Sequence, residues 1–378
     1  MSLQEVLTLS RRFEFVMLAQ QEGCNISDLC KRFGFSRKTG YKWLSRFQTR
    51  GEDGLWDLPR RPHHSPNKTD DCTEDAVIAL RELHKTWGGR KLRRRLTDLG
   101  NSSVPSPSTI TTILHRHERI DADESAKHKA FCSFEHPYPN DLWQMDYKGH
   151  FPLRIGRCHP LTVLDDHSRF NILLKACADE TTETVKRALI DAFRQYGLPK
   201  RMTMDNGSPW GNQGFDDLTV LTVWLIRLGI LVSHSRPYHP QTQGKDERFH
   251  RTLKADAIAG SEFNDLAGCQ TKFDEFRDLY NLVRPHDSLD LATPVTRYQP
   301  SQRPYPEVLP QIEYWSGDLV RKVQAKGDVF FKGEVFRLSK ALQGQPVAFR
   351  SISDDGRYAV YFCQQKLTEV QLTDVKKR

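Results

Sequence analysis

Three acids occupy places in the chain where side chains can do chemistry. Asp146 lies in "WQMDYKG", where strand alternation puts Trp143, Met145 and Tyr147 on one face and Gln144, Asp146 and Lys148 on the other. Asp205 closes the apolar run "RMTMD" and precedes Asn206-Gly207, a turn pair that would hold its carboxylate at a strand end. Glu247 and Asp246 open a helix in "HPQTQGKDERFH". Taken singly, each acid reads as a turn or cap residue. Together they suit Mg²⁺, which prefers oxygen donors and keeps some of its waters. Two such ions about 3.5–4 Å apart can activate a water or hydroxyl and neutralise charge on a phosphodiester.

Helix phase separates the last two acids. Glu247 aligns with Arg251 at i+4 and Lys254 at i+7, bases suited to phosphates beside the metals. Asp246 shares its side with Phe249 and Leu253, so it is expected to cap the helix or complement its dipole. Asp165 and Asp166 in "VLDDHSRF" are expected to order the turn toward Ser168 and Arg169. His234 and His239 are expected to make loop hydrogen bonds.

The elements around these acids are readable from periodicity. "LWQMDYKGHFPL", "CHPLTVLDDH" and "RFNILLKACA" are strand-like runs separated by short polar breaks. Val185, Ala188, Leu189, Ala192, Phe193 and Tyr196 then form a helical apolar stripe. Strand, helix, strand and the Glu247 helix follow. Residues 141–293 therefore predict an α/β domain with a mixed five-stranded sheet and helices on its faces. After the Pro-rich connector 294–311, residues 312–378 alternate apolar and polar residues between Gly-containing turns, which predicts a small β-barrel or sandwich.

Ahead of this domain, residues 1–57 read as helices with a Gly34 turn and a Ser36 cap, a helix-turn-helix outline. Tyr41, Leu44 and Phe47 are expected to face inward, and Arg37, Lys38, Lys42 and Arg46 to face DNA. Gly40 costs about 1 kcal/mol relative to Ala inside a helix and weighs against a rigid reading helix. The linker 58–72 carries Arg60 and Arg61. A second helix-turn-helix-like module spans 73–120, with Ser106 as cap, Pro107 at the first helical position and Arg90, Lys91 and Arg94 as candidate phosphate contacts. Residues 121–140 read as a connector. Lys148 and Lys245 complete the basic residues expected near DNA.

Composition agrees with a DNA partner without proving it. The chain has 378 residues, 38% of them hydrophobic, and a net charge of +8, a mild bias toward polyanions. No apolar run is long enough to span a bilayer, and no secretory leader is evident, so a cytoplasmic protein is expected. Eight cysteines without a CxxC pair suggest reduced thiols rather than a zinc cage or disulfide framework.

At "WQMDYKG", "MDNGSPW", "HPQTQGKDERFHRTLK" and "YNLVRPHDSLDLATP" the chain resembles bacterial insertion-sequence transposases of the Asp-Asp-Glu type, with a retroviral-integrase-like catalytic core. With the N-terminal modules, the resemblance extends nearly to Pro294. It implies a ribonuclease-H-like α/β core behind the helix-turn-helix modules; with the small all-β barrel read from the alternation in residues 312–378, the chain is expected to be multidomain. The resemblance also implies that Asp146 bridges two Mg²⁺ ions, with Mn²⁺ a substitute, and that Asp205 and Glu247 each complete one. The expected partners are double-stranded transposon ends and target DNA at the bacterial nucleoid, bound by a homodimer or higher homo-oligomer, with no membrane. The implied reaction frees 3′-hydroxyl ends and joins them to target DNA. A sequence-specific DNA-binding regulator with an inactive transposase-derived core is the alternative. A nuclease of RNA hybrids on the same fold would leave both helix-turn-helix modules unused.

Overall fold

A computed structural model describes residues 3–58, 69–101, 103–120, 135–211, 218–234, 244–353 and 356–372. Arg60, Arg61, His239 and the "QTQ" approach to Glu247 lie outside the described residues. The chain divides into two compact units, Met1–Lys68 and Thr69–Arg378.

The first unit holds helices α1 (Leu3–Ala19), α2 (Ile26–Phe33) and α3 (Arg37–Arg50). The Asn25 side chain accepts from the Ser27 and Asp28 amides at the start of α2, and Ser36 accepts from Thr39 N at the start of α3. These bonds satisfy amides that have no partner within the helix. Gly34 ends α2 at φ 69°, in the left-handed region that favours glycine. Phe15, Val16, Leu29, Cys30, Trp43 and Leu55 form the core. Leu44 and Phe47 pack against it as expected, but Tyr41 is 49% exposed and Trp43 is the buried aromatic. Trp43 also carries Arg12 and Lys42 over its ring at 4.0 and 3.9 Å.

Gly40 has a packing reason that helix propensity does not reveal. A Cβ there would lie 2.4 Å from Cys30 Sγ and 2.9 Å from Phe15 Cζ, so glycine is what lets α3 approach α1 and α2.

The second unit begins with α4 (Asp71–Leu83), α5 (Gly89–Asp98) and α6 (Pro107–Arg116). α4 starts two residues before the expected Thr73 because Asp70 caps it, accepting from Thr73 N at 2.7 Å. Val77, Trp87, Leu92, Ile110 and Leu114 form the core of this module, and Leu279 and Val283 pack onto it. The module therefore rests on the α/β domain.

That domain contains β1 (Trp143–Tyr147), β2 (Phe151–Pro152), β3 (Arg157–Asp165), β4 (Asn171–Cys177), α7 (Thr182–Tyr196), β5 (Arg201–Met204), α8 (Val220–Arg227), β6 (Leu231–His234), α9 (Gly244–Leu253) and α10 (Leu266–Asp278). The strands run in the order β2-β3-β1-β5-β6, with β4 on β3. β1, β3 and β4 pair antiparallel, whereas β1, β5 and β6 pair parallel. The sheet is mixed as expected, with the two-residue β2 as a sixth strand: "LWQMDYKGHFPL" breaks into two because Gly149 turns the chain at φ 83°. Trp143, Met145 and Val163 on one face pack with α7 and α8. On the other face, Leu164 and Leu174 pack with Phe249 and Leu253 of α9 and Phe273 and Phe276 of α10.

β7 (Leu319–Lys322), β10 (Pro346–Ser351), β11 (Arg357–Phe362) and β12 (Gln365–Gln371) form a four-stranded antiparallel sheet; β8 (Asp328–Phe331) and β9 (Glu334–Arg337) form a separate hairpin. Among the described residues no ladder closes these strands into a barrel. The hairpin packs on the sheet through side chains, Phe331 stacking on Phe349 at 4.0 Å. Gln365 caps the edge of β6, accepting from Val232 N at 2.8 Å and donating to Val232 O at 3.0 Å.

Replacing Gly40 with Ala tests the packing of the first unit. Propensity alone predicts a gain of about 1 kcal/mol; overpacking predicts a net loss of about 1–3 kcal/mol. The loss should appear as weaker hydrogen-exchange protection across α2 and α3.

Candidate active site

The two aspartates meet through strand register. β1 and β5 pair in parallel with Trp143 opposite Met202 and Gln144 opposite Thr203. Continued by two residues, that register brings Asp146 level with Asp205, just past the end of β5. Asp146 is on the face that packs against α9, the helix that carries Glu247.

Asp146 is in an electrostatically crowded place. Burial and the nearby Asp205 carboxylate, with further contributions from Glu180 and Glu247, push its carboxyl up to about 7. Proximity of like charges disfavours ionisation, and a divalent cation is what would relieve it. Asp205 is held by its own turn: its Oδ1 accepts from Gly207 N at 2.9 Å and from the Trp210 indole. Trp210 in turn stacks on Tyr147 at 5.2 Å. His234 donates from Nδ1 to the Asp205 carbonyl, 2.9 Å away, while its Nε2 is buried with no partner among the described residues.

Helix phase divides the two acids as expected: Glu247 is exposed, and Asp246 is buried in the first turn of α9. Glu247, Arg251 and Lys254 are exposed on one side of α9, and the helix passes into a π-turn at Lys254–Ile258. Asp246 is 1% exposed and neither carboxylate oxygen has a hydrogen-bond partner among the described residues. It is therefore no N-terminal cap. Burial, then Asp146 and Asp166, hold its carboxyl well above the ordinary range.

Three residues missed in the sequence border the site. Thr162, opposite Asp146 in the β1–β3 ladder, donates its hydroxyl proton to Asp146 O at 2.9 Å. It must then accept from His250 Nε2, 2.8 Å away, which leaves His250 Nδ1 toward Asp146 Oδ2 at 3.9 Å. Burial, helped by Lys148, pushes the imidazole down to about 4, so it is neutral. The sequence signal for His250 was its i+3 position from Glu247 on the helix. Glu180, whose Oε1 is 2.8 Å from His159 Nδ1, had only its place just after β4 to mark it.

The three acids share one neighbourhood, but among the described residues no three His, Cys, Asp or Glu side chains converge on a metal-sized point. The chemistry of the donor set fits a hard divalent cation: Asp146 and Asp205 supply carboxylate oxygens in register, and Glu247 faces outward beside them.

The expected DNA-facing bases separate into groups. Arg37, Lys38 and Lys42 are exposed on α3, and Arg46 is half-buried with its guanidinium 5.3 Å from the Trp43 ring centre. Lys148 is half-buried beside Asp146. Arg90 and Lys91 instead reach Asp287 at 3.4 and 3.5 Å, and Arg94 pairs with Asp98 at 2.9 Å. Burial, with Arg284 nearby, pushes Lys91 down to about 8. Lys245 points inward to the buried Asp166. Asp165 orders its turn as expected, accepting from Ser168 N at 2.8 Å and Ser168 Oγ at 2.6 Å.

The chain matches the integrase core domain at residues 136–240 and again, as a second such domain description, at 228–294. It matches a helix-turn-helix domain at 11–63, a homeodomain-like domain at 39–114 and the IS481 family transposase C-terminal domain at 318–378. It is 33% identical over 116 residues to the Pro-Pol polyprotein of simian foamy virus type 3 (strain LK3), covering 31% of this chain and 9% of the polyprotein. It is 24% identical over 225 residues to the insertion element IS476 uncharacterized 39.2 kDa protein of Xanthomonas euvesicatoria, covering 58% of this chain and 62% of that protein. The chain thus spans less than two thirds of either relative. Among solved structures, the simian T-cell lymphotropic virus intasome in complex with PP2A regulatory subunit B56 gamma aligns at TM-score 0.36 and 17% identity, covering 78% of this chain and 99% of that one. The HTLV-2 integrase catalytic core domain in complex with magnesium aligns at 0.33 and 15%, covering 44% and 100%. Among the described residues no helix is long and apolar enough to cross a membrane.

The raised Asp146 carboxyl has a stability consequence. Its folded-state value lies above the unfolded one, so its contribution is fully present below about pH 4 and is lost as pH rises through about 7. In divalent-free buffer the thermal midpoint should fall from pH 6 to pH 8, and Asp146→Asn should flatten that fall. A parallel fall in the variant would place the titration elsewhere.

Proposed function

We propose that the chain is an insertion-element transposase with an integrase-like core, active in DNA transposition through Asp146, Asp205 and Glu247. The observation that carries this reading is the strand register that sets Asp146 beside Asp205, with the electrostatic influence of Glu247 reaching the same carboxyl. An inert scaffold gains nothing from two aspartates set side by side at strand ends, where like charges oppose each other.

Asp146, Asp205 and Glu247 would hold Mg²⁺, in a pair of ions with Mn²⁺ as a substitute. When bound, the metal neutralises phosphodiester charge and lowers the pKa of the attacking water or 3′-hydroxyl. The protein's own part is positioning. Gly207 N and the Trp210 indole fix one oxygen of Asp205, leaving the other for a ligand. The Thr162 hydroxyl and the His250 ring hold the strand of Asp146 against the helix of Glu247. Arg251 and Lys254, exposed beside Glu247, would contact phosphates, and Lys148 would do so from the end of β1.

The helix-turn-helix unit, with Arg37, Lys38 and Lys42 on the outer side of α3, would recognise the terminal inverted repeats. Sequence-independent contacts to phosphates add salt-sensitive affinity. Joining two ends calls for a homodimer or larger assembly on DNA. In the second module Arg90, Lys91 and Arg94 would need to leave Asp287 and Asp98 to reach phosphate, so their part in DNA contact is secondary to α3.

The test uses the full chain with DNA carrying the inverted repeats that flank its gene. Mg²⁺ should support cleavage and joining of those ends. Asp146→Asn, Asp205→Asn and Glu247→Gln should each reduce both steps to background while end binding in a mobility-shift assay stays at the parent level. Full activity in any variant removes that residue from the site; tight end binding by an inert parent favours the regulator.

A further inference from the structure

Asp166 is 1% exposed and stands in the turn after β3. Its amide donates to Leu142 O at 2.9 Å. Its Oδ2 accepts from His136 N at 2.8 Å. Its Oδ1 accepts from Gln144 Nε2 at 2.7 Å and from the Lys245 ammonium, which also donates to Asp166 O at 3.3 Å. Turn formation needs none of the last three contacts, since Asp165 already supplies the bonds to Ser168.

The two side-chain partners have a shared relation to the site. Gln144 lies two residues before Asp146 on the same face of β1. Lys245 lies two residues before Glu247 in the first turn of α9, with only 14% of its side chain exposed. An ion pair this sheltered is little screened by salt, and moving either partner away strands a buried charge. The first turn of α9 is thereby pinned to the sheet.

We propose that Asp166 is a positioning residue for Glu247: through Lys245 on one side and Gln144 on the other, it fixes the start of α9 against β1 and so sets where Glu247 stands relative to Asp146. This rests on the reading that these acids share a divalent metal. It also gives Lys245 a role different from phosphate contact.

Two variants of the full chain test the link without stranding a charge. Lys245→Met combined with Asp166→Asn removes both charges together. Gln144→Met removes the tether to β1 at the loss of one neutral hydrogen bond, and the Gln144 Oε1 is already buried with no partner among the described residues. The main readout is Mn²⁺ binding followed by electron paramagnetic resonance, with circular dichroism for folding and mobility shift for affinity to end DNA. The half-saturating Mn²⁺ concentration should rise about tenfold, as for loss of an outer-shell partner, with end-DNA affinity unchanged. Parent-like Mn²⁺ binding in either folded variant overturns the proposal. So does weaker end-DNA binding with unchanged Mn²⁺ binding, which would make Lys245 a phosphate contact. If the double variant does not fold, Gln144→Met decides alone. Asp146→Asn separates the two levels of inference. If the parent binds Mn²⁺ no better than Asp146→Asn, the shared-metal reading fails and this proposal falls with it. If Mn²⁺ binding depends on Asp146 but not on the Asp166 link, positioning alone fails.

Discussion

The parallel pairing of β1 with β5 is the constraint on which the site depends. Parallel neighbours are about 4.8 Å apart, so residues level with one another on the same face are forced together. The pairing of Trp143 with Met202 and Gln144 with Thr203 sets Asp146 against Asp205, and the fold must contain the resulting repulsion. It does so with apolar mass on one side: Trp143, Met145, Met202 and Met204 are fully buried among the residues of α7 and α8. Sliding this register by one residue would turn those side chains to the wrong face.

The opposite face has a different task. It packs α9 and α10 through Phe249, Leu253, Phe273 and Phe276, yet it also carries Gln144, Asp146 and Thr162. Polar groups in such a position need partners. Thr162 and His250 supply one set and Asp166, Lys245 and Gln144 another. Asp246 is the exception, a buried carboxyl with no hydrogen-bond partner among the described residues. Its burial and its neighbours Asp146 and Asp166 add to the cost of ionising it.

The same economy of contacts joins the flanking modules to the core. Leu279 and Val283 seat the α4–α6 module, while Arg90 and Lys91 reach Asp287. Val323, next to β7, and Phe331, Val347 and Phe349 of the C-terminal strands join the apolar cluster of the α/β sheet. Bases that look like a nucleic-acid surface in the sequence are thus partly consumed by attachment of one module to another. In the first unit, by contrast, Arg37 and Lys38 remain on the outer side of α3.

The sequence by itself determined the order and type of the elements of the α/β domain, because periodicities of 2 and 3.6 are local properties of the chain. It likewise determined the faces of β1 and α9, and hence the outward position of Glu247 and the inward one of Asp246. Capping by Ser36 and Ser106 was equally local. Tertiary structure decided what depends on residues distant in the chain. Gly40 reads as a flaw in the sequence, whereas in the fold Cys30 and Phe15 lie against it; Trp43, not Tyr41, is buried in the core. Lys91 and Lys245 looked like DNA contacts until Asp287 and Asp166 were found beside them. A charge pattern records how many cations a segment carries, but only the fold brings each one to its counter-charge.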